Sequence, residues 1–155
     1  MKTRVDITKY MSSGMFRAML HLSHEVESHL DRRLAELVKI RASQINGCAY
    51  CLDMHSKDAR AIGESEQRLY ALNAWRETPF FSDRERAALE WAEAVTLVGE
   101  THVPDDVHAR VSKEFTEEEL VALTLEVVVI NAWNRLSVSF RPQVGSYQPR
   151  AAVSA

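Results

Sequence analysis

Between Asp31 and Gly63 the chain contains one turn signal, Asn46-Gly47, and no proline. An Asn-Gly pair is strong loop punctuation, so this segment reads as two helices folded back on each other about that pair. The first opens at Asp31, a good N-cap, and carries Leu34, Leu37, Val38, Ile40 and Ile45 as its buried stripe. The second begins at or near Cys48 and stops near Gly63, a glycine of the kind that ends helices. It holds both cysteines of the protein, Cys48 and Cys51, in a Cys-x-x-Cys spacing. On a helix, Cys51 lies about 60° behind Cys48 and His55 about 20° behind it, so all three side chains share one face.

Antiparallel packing about the turn adds a fourth member to this face. Glu36 stands about ten residues before the turn and His55 about nine after it. At ~1.5 Å per residue both lie roughly 14–15 Å from it, level with each other. A carboxylate beside an imidazole, one helical turn from a thiol, forms a proton relay. Glu36 orients His55, and His55 draws the proton from Cys51 directly or through water. The helix start also favours a thiolate on Cys48, because unpaired N–H groups there stabilise negative charge. Cysteines three apart suit a disulfide, whose Cα atoms commonly stand ~5.5 Å apart. Two other readings of the face stay open: an inert pair of thiols, and a zinc site built from Cys48, Cys51, His55 and Glu36. Tyr50 points to another side by helical count.

The rest of the chain reads as helices too. Ser12 or Ser13 caps a first helix running to about His29, with Met15, Met19, Leu22 and Val26 at helical spacing. His21, His24 and His29 do not fit a metal-binding helix motif and read as surface and interface histidines. Ser65 opens a helix broken at Thr78-Pro79. Ser82 with Glu85 forms a capping box for another, closed by Gly99. A short helix spans about 105 to 113. A second capping box, Thr116 with Glu119, opens the longest helix, to about Phe140. Its Val127-Val128-Val129-Ile130 run favours a strand by propensity, but cap and length argue helix. Its apolar girth implies burial on all sides and hence a partner subunit. Residues 1–11 read as an arm or lead-in, and 141–155 as a tail lying across a neighbour or loose.

With 155 residues, 46% of them hydrophobic and 26% charged, the chain suits one domain over residues 1–155 with a real core. A net charge of −3 gives no basic footprint for nucleic acid. No run of about 18 apolar residues predicts a membrane span, and the N-terminus lacks an apolar signal core. The expected compartment is the cytoplasm, where a cysteine pair is catalytic or metal-binding rather than a structural staple.

The order Glu36, eleven residues, Cys48-x-x-Cys51, three residues, His55 resembles the redox members of the alkylhydroperoxidase D-like family, within the carboxymuconolactone decarboxylase superfamily. Residues 36–44, 82–90 and Asn131-Ala132-Trp133-Asn134-Arg135 also look like that family, so the likeness covers about 15–140. The resemblance implies an all-α domain of about six to seven helices in an obligate homotrimer or homohexamer. It implies a thiol-dependent peroxidase acting on small or organic hydroperoxides, with no cofactor or metal and with an external dithiol or protein reductant. Carried onto this chain, Cys51 attacks peroxide, Cys48 condenses with the sulfenic acid, and Glu36 with His55 is the relay. Tyr50 departs from the pattern, since the best-known members place a histidine there. Asn134 and Arg135 are read as buried and as serving a subunit interface in preference to the site. The competing functions are a lactone decarboxylase of the same superfamily and a redox-sensing or zinc-binding oligomer.

Overall fold

Side-chain caps mark where most helices of this protein begin. The computed structural model describes residues 2–149, and among them it contains eight α-helices and no strand. These are α1 (Gly14–Glu27), α2 (Arg32–Asn46), α3 (Ala49–Ala61), α4 (Glu66–Ala71), α5 (Asp83–Thr96), α6 (Val98–Thr101), α7 (Asp105–Val111) and α8 (Glu117–Phe140). Ser13 caps α1, Asp31 caps α2 and Ser65 caps α4, each accepting from a backbone N–H three residues on. Ser82 with Glu85 and Thr116 with Glu119 form reciprocal boxes at α5 and α8. Each cap satisfies a donor the helix itself leaves orphaned, worth about 1 kcal/mol. The all-α expectation holds, and Val127–Ile130 is helical despite its strand propensity. The burial of Val127, Val129 and Ile130 in the helical arrangement outweighs a preference of a few tenths of a kcal/mol per residue, while Val128 stays exposed.

Three local expectations need correction. Gly99 does not close α5; it sits inside α6, and the chain turns instead at His102 and Val103, both with positive φ. The helix expected after Ser65 divides into α4 and a 3-10 stretch, Leu72–Glu77, kinked at Ala74. The tail does not lie loose as far as Pro149. Tyr147 donates its hydroxyl to Asp58 at 2.7 Å, Lys57 donates to the Tyr147 carbonyl and Gly145 donates to Asp53, so the segment folds back on α3. Residues 150–155 lie outside the described residues. At the other end, Ile7–Tyr10 forms a 3-10 turn.

α2 is the central element, packed against α3, α5 and α8. Leu34 and Val38 face Ala88, Trp91, Ala92, Leu123 and Val127 in one apolar cluster. Leu37 and Ile40 face Ala59, Leu72, Trp75 and Leu89 in a second. A third, small cluster joins Ala42 to Cys48, Cys51 and Ile130. A helix used on all sides fixes the orientation of every side chain it carries, and Glu36 is one of them. α8 is long and apolar enough to cross a membrane, with a mean hydropathy of 1.3, but half of that stretch is buried inside the domain. Its inward side also carries Glu126, Asn131 and Asn134, which pair with other helices rather than with lipid. It is the core helix of this fold.

Candidate active site

The position of the cysteines follows from how α2 ends. Gly47 adopts the left-handed conformation, φ +64°, which glycine enters without a Cβ penalty. Its N–H donates to the Gln44 carbonyl and that of Cys48 to the Ser43 carbonyl at 3.0 Å. This is the Schellman pattern, which closes a helix and reverses the chain within two residues. Cys48 is then at once the last residue of that closure and the N-cap of α3, with its Sγ accepting from the Cys51 N–H at 3.3 Å. Both cysteines are almost fully buried and are paired as a disulfide, with Cα atoms 5.4 Å apart.

A polar brace fixes this turn against α8. The Asn46 amide donates to Asn131 Oδ1 at 3.0 Å and Asn134 Oδ1 at 2.8 Å. Asn134 in turn donates to Ser43 Oγ, and Asn131 to Thr96 Oγ1. Asn134 is therefore an internal strut and not an interface residue. Arg135 is exposed rather than buried, and holds the Asn131 carbonyl and side chain.

Along the hairpin, Nδ1 of His55 lies 3.0 Å from Oε2 of Glu36. Both are buried. Burial pushes the Glu36 carboxyl up, but the hydrogen bond to His55 and the charges of His55 and Lys39 outweigh it and hold the group below its ordinary value. An ionised carboxylate only accepts, so Nδ1 carries the hydrogen and Nε2 is the basic nitrogen.

Lys39 completes the arrangement. It is buried, and its ammonium stands 2.9 Å from Glu36 Oε1, 2.5 Å from Glu27 Oε1 on α1 and 3.8 Å from Glu126 Oε1 on α8. Burial lowers the Lys39 ammonium, yet Glu36, Glu126 and Glu27 outweigh that and raise it. Glu126 behaves in the opposite way. Burial pushes its carboxyl up, Glu27 and Glu36 add to the rise, and Lys39 offsets only part, leaving it at about 7.

These groups meet at the wall of a cavity of about 740 Å³. Cys51, His55, Lys39, Glu27 and Glu126 are among its polar lining residues, and Ile7, Leu20, Met54, Val129 and Trp133 among its apolar ones. Tyr50 also lines it, packed against the cluster of Cys48, Cys51 and Ile130, so the helical count that turned Tyr50 elsewhere is corrected. Glu36, Cys48, Cys51 and His55 are thus gathered in one region. The potential metal donors differ from those expected, being Glu36, His55 and Asp58, within 4.8 Å of one another. The Glu36 carboxylate already holds Lys39 and His55 Nδ1, and the Asp58 carboxylate accepts from Tyr147. His21, His24 and His29 are exposed on or just after α1.

Lys39, Glu27 and Glu126 are not found by motif spacing. The available signal was compositional: Glu126 is a lone acid inside the apolar run from Leu123 to Ile130, and Lys39 stands between apolar Val38 and Ile40. Charges so placed are seldom buried without partners.

A model of the carboxymuconolactone decarboxylase family matches residues 14–94. The uncharacterized protein YdfG of Bacillus subtilis is 43% identical over 146 residues, covering 94% of this chain and 99% of its own length. A solved structure from Agrobacterium tumefaciens, of unknown function and named as a candidate antioxidant defence protein AhpD, superposes with a TM-score of 0.89. It shares 43% identity over 94% of this chain and all of that one. The debrominase Bmp8, in its apo form, has a TM-score of 0.76 at 20% identity, over 84% of this chain and 71% of that one, a likeness of fold alone.

Proposed function

The chain belongs to the carboxymuconolactone decarboxylase family, and we propose that within it this protein is a thiol-dependent peroxidase reducing small or organic hydroperoxides. The observation that carries the reading is the Glu36–His55 hydrogen bond of 3.0 Å on the wall that also holds Cys51. In the reduced protein, His55 Nε2 takes the Cys51 proton while Glu36 stabilises the imidazolium. The Cys51 thiolate attacks the terminal oxygen of the hydroperoxide, and the O–O bond breaks. Sulfur loses two electrons to become the sulfenic acid, and the leaving oxygen departs as an alcohol or water.

Cys48 then attacks the sulfenic sulfur. The S–S bond forms, and the hydroxyl leaves with the Cys48 proton as water. The 5.4 Å Cα separation suits that closure without movement of α3. An external dithiol or a protein reductant restores the two thiols by exchange. The antioxidant name given to the Agrobacterium relative agrees with this chemistry.

The proposal extends to assembly and place. Val121, Leu125 and Val128 make an exposed apolar stripe along α8, and a second and third copy of this chain are its proposed cover, in a trimer or hexamer. The proposed compartment is the cytoplasm, where dithiol reductants are maintained.

The test follows consumption of hydrogen peroxide and cumene hydroperoxide with dithiothreitol as reductant, in wild type, Cys51→Ser, Cys48→Ser and His55→Ala. Turnover that vanishes in Cys51→Ser and falls in His55→Ala is the expected result. Wild-type protein that consumes neither peroxide sinks the reading, and zinc bound at about one per chain would redirect it to a metal site.

A further inference from the structure

Glu126 has no part in the relay, yet it is the most unusual charged group in the molecule. It is only 2% exposed, and its Oε2 has no hydrogen-bond partner among the described residues. An unsatisfied buried carboxylate oxygen costs several kcal/mol unless the group is protonated or a ligand meets it. The same side chain lines the cavity beside Cys51 and His55. Its Oε1 stands 3.8 Å from the Lys39 ammonium, beyond hydrogen-bond reach.

The carboxylates around it outnumber the one ammonium. Lys39 and Glu36 stand on α2 and Glu27 on α1, gathered with Glu126 about the one ammonium, while His55 lines the same cavity from α3. The single ammonium is already shared by Glu27 and Glu36, so a third negative charge finds no free counter-ion. Burial and the surplus of carboxylates therefore favour the neutral acid of Glu126, with a carboxyl hydrogen to give and a cavity to give it into.

We propose that Glu126 is the general acid of this site, donating its proton to the leaving oxygen of an uncharged organic hydroperoxide bound in the cavity. The proposal rests on the peroxidase reading above and adds a catalytic residue and a substrate class to it. The balance of the step is complete. The Cys51 thiolate and the hydroperoxide ROOH, with the Glu126 carboxylic acid, give the Cys51 sulfenic acid, the alcohol ROH and the Glu126 carboxylate. The S–O bond forms as the O–O bond breaks, sulfur is oxidised by two electrons and the peroxide oxygens are reduced by the same two. The proton that His55 took from Cys51 then returns to the Glu126 carboxylate through solvent, and the Cys48 proton leaves with the sulfenic hydroxyl as water when the disulfide closes.

The uncharged class follows from the lining. Among the described lining residues Lys39 is the sole ammonium or guanidinium, and it is committed to carboxylates. A substrate bearing its own carboxylate would meet Glu27 and Asp6 without a free counter-charge. An apolar body fits against Ile7, Leu20, Met54, Val129 and Trp133, with its peroxide end toward Cys51.

The experiment separates proton donation from every other role by changing the leaving group. Reduced wild type and Glu126→Gln are oxidised in single turnover by cumene hydroperoxide and by peracetic acid, with loss of thiol followed by quenched flow. Alkoxide is a poor leaving group that needs a proton, whereas acetate leaves without one. The expected result is a fall of about a hundredfold for Glu126→Gln with cumene hydroperoxide and a far smaller one with peracetic acid. Equal losses with both oxidants, or no loss with either, overturn the proposal. If Glu126→Gln does not fold, Glu126→Asp, which withdraws the same acid by one methylene, is put through the same comparison with the same criteria. Wild type oxidised by neither reagent brings down the peroxidase reading itself, and this proposal with it, an outcome distinct from failure of the acid alone.

Discussion

Nδ1 of His55 and Oε2 of Glu36 meet at 3.0 Å across two helices, nineteen residues apart in the chain. The contact exists because the turn at Gly47 sets α2 and α3 side by side in register. In the reduced protein this pair governs how readily Cys51 loses its proton. Glu36→Gln keeps the shape but withdraws the negative charge. We expect the rate of Cys51 alkylation by iodoacetamide at pH 7, measured in a Cys48→Ser background, to fall about tenfold or more in Glu36→Gln and further in His55→Ala. Rates equal to that of the background would remove the relay.

Lys39 holds three helices together through charge. Replacing it by Met leaves Glu27, Glu36 and Glu126 facing one another with no ammonium between them. Breaking a buried pair from one side costs about 3–5 kcal/mol. A shift of that size in the urea midpoint, multiplied by the slope, is the expected outcome; a midpoint within error of wild type would mean the cluster is not energetically coupled.

Stability should also depend on Glu126 in a defined pH window. Its folded carboxyl is raised to about 7 from an ordinary 4.5. A raised group adds its full stability below the unfolded value and loses it as pH climbs through the folded one, so the loss runs from about pH 4.5 to pH 7. Over pH 5 to 8 it amounts to about 2 kcal/mol. Glu126→Gln does not titrate. Urea titrations of the oxidised proteins at one protein concentration should show wild type weakening across that window relative to the variant. Parallel pH profiles would contradict the assignment.

The stripe of Val121, Leu125 and Val128 on α8 predicts self-association. Val128→Glu places a charge in its middle, and light scattering coupled to gel filtration should report smaller particles than wild type at the same concentration. An unchanged mass, or a monomeric wild type, would place the contact elsewhere or remove it.

Much of this protein was legible from local chemistry. Asp31, Ser82 with Glu85 and Thr116 with Glu119 are caps that act within four residues, so their helices start where sequence puts them. Gly47 was legible for the same reason. Gly99 was not, because Thr101 reaches back to the Ala94 carbonyl at 2.7 Å and steadies one more helical turn past it. Asn134 was misjudged on similar grounds: its partners Asn46 and Ser43 lie about ninety residues away, and no periodicity announces them.

The sequence by itself determined an all-α chain, the hairpin about Asn46-Gly47, and the sharing of one face by Cys48, Cys51 and His55. Those are consequences of helical period and of turn chemistry, both set by neighbours in the chain. Only the tertiary structure decided that Lys39 is shared among Glu27, Glu36 and Glu126, and that Glu126 stands unsatisfied at a cavity wall. Charge in a protein takes its meaning from what surrounds it, and three helices had to pack before these four side chains had surroundings at all.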